Sequence, residues 1–111
     1  MADIYVNIDE ALLRFNGNTQ IFKMLLKKFK DSPYFNELDE HLAAHDLVQA
    51  ERSAHTIKGT AGNLSLTALY EMACTLDDQL KSEEDYTNCY EEFQNIYTQT
   101  LMEINDFIAN N

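Results

Sequence analysis

His55, Lys58, Gly59 and Gly62 stand together in the run Ala54-His55-Thr56-Ile57-Lys58-Gly59-Thr60-Ala61-Gly62. An imidazole with an ammonium one helical turn away and bare backbone beside it suits the capture of a small anionic group. Phosphoryl is the natural candidate. Neutral imidazole is a good nucleophile near neutral pH, and a phosphoramidate on one ring nitrogen carries negative charge that Lys58 can offset. The two glycines would leave room for a partner to come close.

This chemistry needs a helix to present it. Leu47, Ala50, Ala54, Ile57, Ala61 and Leu64 recur at steps of three and four, the seam of a helix facing a core. His55 lies off that seam, on the flank shared by Glu51, Lys58, Gly59 and Gly62, so its ring should face solvent. Each glycine inside such a helix costs roughly 0.5–1 kcal/mol relative to alanine, which implies a use for the space it leaves. Close packing of two helices is the competing reading of both glycines.

The other segments read as helices too. Asn7 followed by Glu10 opens a short first helix over 8–15, closed by Gly17. Asn18 caps a second, with Ile21, Phe22, Leu25 and Phe29 as its apolar face. Ser32-Pro33 is either a helix start, with the hydroxyl as cap, or a kink in one long helix; Phe35, Leu38 and Leu42 face the core beyond it. Asp46 with Gln49 opens the helix that carries His55. Leu66, Leu69, Ala73, Leu76 and Leu80 stripe the next. Ser82 and Glu83-Glu84-Asp85 suit the start of the last, down which run Phe93, Tyr97, Leu101, Ile104 and Phe107. Strand alternation is missing, so the expected fold is all-α: an antiparallel four-helix bundle with a short additional N-terminal helix across one end.

The segment AHTIKGTAGNLSLTALYEMACTLDDQLK, residues 54–81, resembles the central helices of the histidine-containing phosphotransfer (HPt) domain family. Upstream, Ile8-Asp9, Gly17-Asn18, Ile21-Phe22 and Leu25-Leu26-Lys27-Lys28-Phe29 are similar to that family's first two helices. Where the family usually has glycine after its Asn-Leu pair this chain has Ser65, which is expected to cap the following helix. The resemblance implies a phosphorelay intermediate in two-component signalling. His55 would accept a phosphoryl group, through Nε2, from an aspartyl phosphate on a response-regulator receiver domain and pass it to another. Lys58 would be the stabilising cation. Docking would use Arg52, Thr56, Gly59 and Gly62, with apolar help from Leu12 or Leu13; periodicity does not separate the two leucines, and Leu13 is taken as the outward one. Glu51 could orient the ring by accepting from Nδ1. Magnesium would belong to the receiver, leaving this chain with no cofactor of its own.

Composition fits a single domain over 1–111. A formal charge of −11, from 8 basic and 19 acidic residues, disfavours nucleic acid and anionic membrane surfaces. No apolar run is long enough for a membrane span, and the start Met-Ala-Asp-Ile-Tyr lacks the pattern of a secretory signal, so the expected place is the cytoplasm, free or as the cytoplasmic tail of a membrane-bound hybrid sensor kinase. A monomer is expected. Cys74 and Cys89 form no Cys-x-x-Cys pair and are read as reduced thiols. No Gly-rich phosphate loop is present to hold ATP, which speaks against a self-sufficient kinase. Histidine kinases of the common type, moreover, follow their histidine with an acidic residue, and here Thr56 follows. His41 and His45, four apart and near Glu37, are the one zinc-like spacing; without an evident third ligand they are read as solvated. An acidic helical adaptor that binds partners without chemistry is the alternative function, and it has no need of the constellation around His55.

Overall fold

The computed structural model describes residues 4–111, and these form six α-helices with no strand among them. They are α1 (Ile8–Arg14), α2 (Thr19–Lys30), α3 (Tyr34–Ala43), α4 (Leu47–Asn63), α5 (Thr67–Lys81) and α6 (Thr87–Asn110). Short connections make successive long helices antiparallel. α4 packs between α3 and α5, α5 between α4 and α6, and α6 returns against α2. The expected bundle forms, with α2 and α3 as separate helices on either side of Ser32-Pro33.

The core is built from the stripes. Phe22, Leu26, Leu38, Ala50, Ala54, Ile57, Ala61, Leu69, Ala73, Leu76, Phe93 and Ile104 are fully buried. On α2 the inward row is Phe22, Leu26 and Phe29; Leu25 is half-buried and Ile21 is exposed, which corrects the expected face by part of a turn. Aromatic rings pack in two groups: Phe22 on Phe15 and edge-on to Phe107, and Phe35 tilted against Tyr97 with centroids 4.6 Å apart. Tyr90 clips α6 to α3 by donating to Asp39 at 2.8 Å.

Helix starts follow the sequence more closely than helix ends. Asn7, Asn18 and Asp46 each accept from the backbone N–H three residues on, at 3.1–3.2 Å. Three expected caps do not form, at Ser32, Ser82 and Ser65. Ser32 donates back to the Phe29 carbonyl at the end of α2, and Ser82 donates back to Asp78 at the end of α5; each hydroxyl closes the helix before it. Asp85 caps α6 instead, accepting from the Thr87 N–H at 3.0 Å, and that backbone bond holds its carboxyl below the usual range.

The ends of α1, α3, α4 and α5 share one device. In each, the second residue past the last turn has left-handed φ: Asn16 at 57°, His45 at 56°, Ser65 at 57° and Glu83 at 58°. The next N–H then reaches back over five residues, Gly17 to Leu12, Asp46 to His41, Leu66 to Ala61 and Glu84 to Gln79, at 2.7–3.1 Å. This is the Schellman closure with a side chain where glycine is usual. Left-handed φ costs a non-glycine residue roughly 1–2 kcal/mol. At Ser65 that strain is offset. Buried and unable to cap α5, its hydroxyl donates to Glu10 at 2.8 Å and accepts from Arg14 at 3.0 Å.

Arg14 extends the same junction. Its Nη1 donates to the carbonyls of Gly62 and Asn63 at 2.7 and 2.8 Å, two of the acceptors left open at the end of α4. The N-terminal segment adds Asn7 N–H to Ser65 O and Ala68 N–H to Ile4 O. α1 is thereby latched over the α4–α5 turn, which fixes the end of the bundle that it crosses.

These closures predict a contrast. Glu83→Gly, at an exposed left-handed position, should stabilise the fold by about 1 kcal/mol, whereas Ser65→Gly should give no gain because it removes two buried hydrogen bonds. Denaturant midpoints check this, and equal gains at both sites would contradict it.

Candidate functional site

His55 emerges from the middle of α4 with its side chain 62% exposed, while Ala54 and Ile57 on either side of it are buried. The flank position inferred from the seam is therefore where the ring stands. Its Nδ1 lies 3.4 Å from Oδ2 of Asp77, a residue of α5 with no exposed side-chain surface. With Nδ1 turned to a carboxylate, the neutral ring is held as the Nδ1–H tautomer and Nε2 keeps the free lone pair.

The same oxygen also holds two cations. Lys58 Nζ lies 3.4 Å from it and Lys81 Nζ 3.3 Å. Burial pushes the Asp77 carboxyl up, but the polar groups around it, Glu51, His55 and Lys81, outweigh it and leave Asp77 below the usual carboxylate range. Lys58 is half-buried; desolvation works against its charge, and Asp77 overcomes this to hold it above the usual lysine range. Asp77 thus fixes ring, ammonium and helix pair at once.

Sequence reasoning missed Asp77 and Lys81. A signal for Asp77 was present: it falls four residues after Ala73 and three before Leu80, inside the buried stripe, with Lys81 one turn on. A lone acid at an inward position marks a buried ion that needs partners. Glu51 does not take the ring's Nδ1 as its first partner; Asp77 holds that place. Glu51, His55 and Asp77 nonetheless bring a ligand atom each within 4.8 Å of one another, the one such cluster of metal-capable groups among the described residues. Two ammonium groups already on Asp77 oppose a divalent ion there. His41 and His45 are not brought together on one helical face, since His45 lies beyond the end of α3 at positive φ.

The remaining expected residues surround the ring unequally. Arg52, Thr56 and Gly59 are exposed, with the Thr56 hydroxyl donating to the Arg52 carbonyl at 3.0 Å. A Cβ at Gly59 would meet nothing within 4 Å. At Gly62 it would lie 3.1 Å from the Tyr70 ring of α5, so that glycine serves helix packing, the competing reading, and its open side is already taken. Leu13 is 84% exposed, while Leu12 packs on the core. Cys74 and Cys89 are both free thiols.

An exposed nucleophilic nitrogen, an ammonium beside it and an uncovered glycine one turn on can accept a compact anionic group from a partner that approaches α4. Comparison with known proteins agrees. The family model described as Hpt domain matches residues 25–107, well over half of the chain and including every member of the ring cluster; α1 and the first half of α2 precede the match. Neither the curated proteins nor the solved structures gave a match.

The two glycines should separate by substitution. Gly59→Ala should gain up to about 1 kcal/mol of helix propensity, and Gly62→Ala less, because its methyl must displace Tyr70. Equal gains in thermal or denaturant stability would contradict the packing difference.

Proposed function

Since the chain belongs to the Hpt domain family, and so takes part in histidine phosphotransfer in phosphorelay signalling, we propose that His55 is its phosphoacceptor. The observation that carries the assignment is the ring's placement: exposed, with Nδ1 on a buried carboxylate and Nε2 free. The Nε2 lone pair attacks the phosphorus of an aspartyl phosphate on a receiver domain. The bond from phosphorus to the aspartate oxygen breaks, and that carboxylate leaves with its electron pair. Nδ1 keeps its proton throughout, so the phosphorylated ring is cationic, and Asp77 faces that new charge directly. Transfer onward is the reverse, to the aspartate of another receiver.

Lys58 serves the arriving phosphoryl. At rest it leans on Asp77; a phosphate on Nε2 offers it a second anion nearby, and Lys81 keeps Asp77 company when Lys58 turns. Receiver docking uses Arg52, Thr56 and Gly59 on α4, with exposed Leu13 on α1 as the apolar contact. Gly62 contributes by seating Tyr70 rather than by touching the partner. The chain acts as a carrier without an ATP site or cofactor of its own, and magnesium is supplied by the receiver. Hpt domains act with receivers and kinases; here the sources are a sensor or hybrid histidine kinase acting on the cytoplasmic side, with the chain a monomer. No helix among the described residues is long and apolar enough to cross a membrane.

Incubation with a phosphorylated receiver should place acid-labile, alkali-stable phosphate on this chain. His55→Gln should remove it while changing stability by roughly 0.5 kcal/mol or less, as exposed substitutions do; full labelling of that variant would refute the assignment. Lys58→Ala should slow transfer and shorten the life of the phosphorylated form, with Lys58→Arg intermediate because the charge stays and the geometry changes. Gly59→Leu should fold normally yet transfer poorly, and unimpaired transfer would remove Gly59 from the docking surface.

A further inference from the structure

Asp77 Oδ2 is crowded by three donors, but Oδ1, equally buried, has no hydrogen-bond partner. A buried carboxylate oxygen without a donor is rare, because nothing replaces the water it has lost. Glu51 lies on α4 one turn before His55, half-buried, and one of its carboxylate oxygens is within 4.8 Å of the His55 and Asp77 ligand atoms. Two carboxyl groups this close cannot both ionise freely; one proton between them relieves the repulsion and supplies the missing donor.

We propose that Glu51 and Asp77 hold one proton between them, carried on Glu51 and donated to Oδ1 of Asp77, and that Glu51 is thereby a positioning residue for the His55 ring. The proton belongs on Glu51 because the other partner already has the donors and the positive charge: the His55 ring and the Lys58 ammonium from α4 and the Lys81 ammonium from α5 all sit on Asp77. The acid of α3 that reaches across the bundle, Asp39, is engaged with Tyr90 on α6. In agreement, the Glu51 carboxyl is raised above the usual range, first by the neighbouring Asp77 carboxyl, then by burial, with Lys81 and His55 opposing. Asp77 moves the other way.

The proton sets how strongly Asp77 pulls on Nδ1–H. With Glu51 neutral, part of the Asp77 charge is spent on the Glu51 O–H. When that proton leaves, Asp77 offers its full charge to the ring. Because the phosphorylated ring is cationic, the exchange between aspartyl phosphate and phosphohistidine should shift toward phosphohistidine as pH rises through the Glu51 titration. This rests on the reading of His55 as phosphoacceptor, so the decisive measurement is made on the unphosphorylated chain.

Side-chain carboxyl carbon shifts of the full chain, followed from about pH 3 to 8, should show Glu51 titrating above and Asp77 below their ordinary values near 4.3 and 3.9. Besides the imidazole's own step, the His55 ring nitrogens should show a smaller step at the Glu51 midpoint. Glu51→Gln, whose amide can donate to Oδ1 at every pH, should abolish that smaller step and flatten the pH dependence of the phosphotransfer equilibrium over the same range. Glu51 titrating with ordinary carboxylates, or a Glu51→Gln protein with the same His55 profile as the parent, would overturn the proposal. Both readouts stand whether or not His55 accepts phosphate.

Discussion

A carboxylate shut away from water carries an imidazole and two ammonium groups on a single oxygen, and the site takes its form from that arrangement. Asp77 joins α5 to α4 at the level of His55, fixes which ring nitrogen points out and keeps Lys58 folded against the helix pair. Such an ion is a poor way to gain stability, since replacing a buried ion cluster by apolar side chains of similar volume is often neutral or favourable. Its place within a stripe of Leu69, Ala73, Leu76 and Leu80 is therefore better explained by what it does to the ring. A carboxylate held ionised behind Nδ1–H is useful when the ring must become a cation and then be neutral again.

The rest of the fold leaves that ring open to a partner's approach. Arg14 binds the end of α4 to α1, so the helix that presents His55 is tied to the helix that presents Leu13. Ser65 adds two bonds to the same joint, accepting left-handed φ where glycine would be relaxed and compensating through Glu10 and Arg14. Tyr70 lies on Gly62 and leaves Gly59 bare, which confines the open backbone of α4 to the turn immediately after His55. With that surface belonging to an Hpt domain, the reading of the chain as an acidic adaptor without chemistry gives way.

Periodicity made the helices, most of the core and the exposure of His55 legible in the sequence, because a stripe of apolar residues at steps of three and four has one stable burial. The caps at Asn7, Asn18 and Asp46 were legible for a similar reason: their side chains act within one turn. Ser32 and Ser82 were misread because a hydroxyl at a helix boundary can bond forward as a cap or backward to a carbonyl, and composition does not choose. The left-handed closures at Asn16, His45, Ser65 and Glu83 carried no glycine signal. Asp77 was hidden for a different reason. Its partners come from two helices, and only packing those helices shows that an acid in the stripe meets an imidazole and two ammonium groups.

The central claim is that Asp77 turns Nδ1 inward and leaves Nε2 to do the chemistry. Nitrogen-15 spectra of the His55 ring before and after phosphorylation test it most directly. The neutral resting ring should be the Nδ1–H tautomer and should carry phosphorus on Nε2 afterwards, with the resting tautomer preference lost in Asp77→Asn. A phosphoryl group on Nδ1, or a resting ring protonated on Nε2 alone, would contradict it.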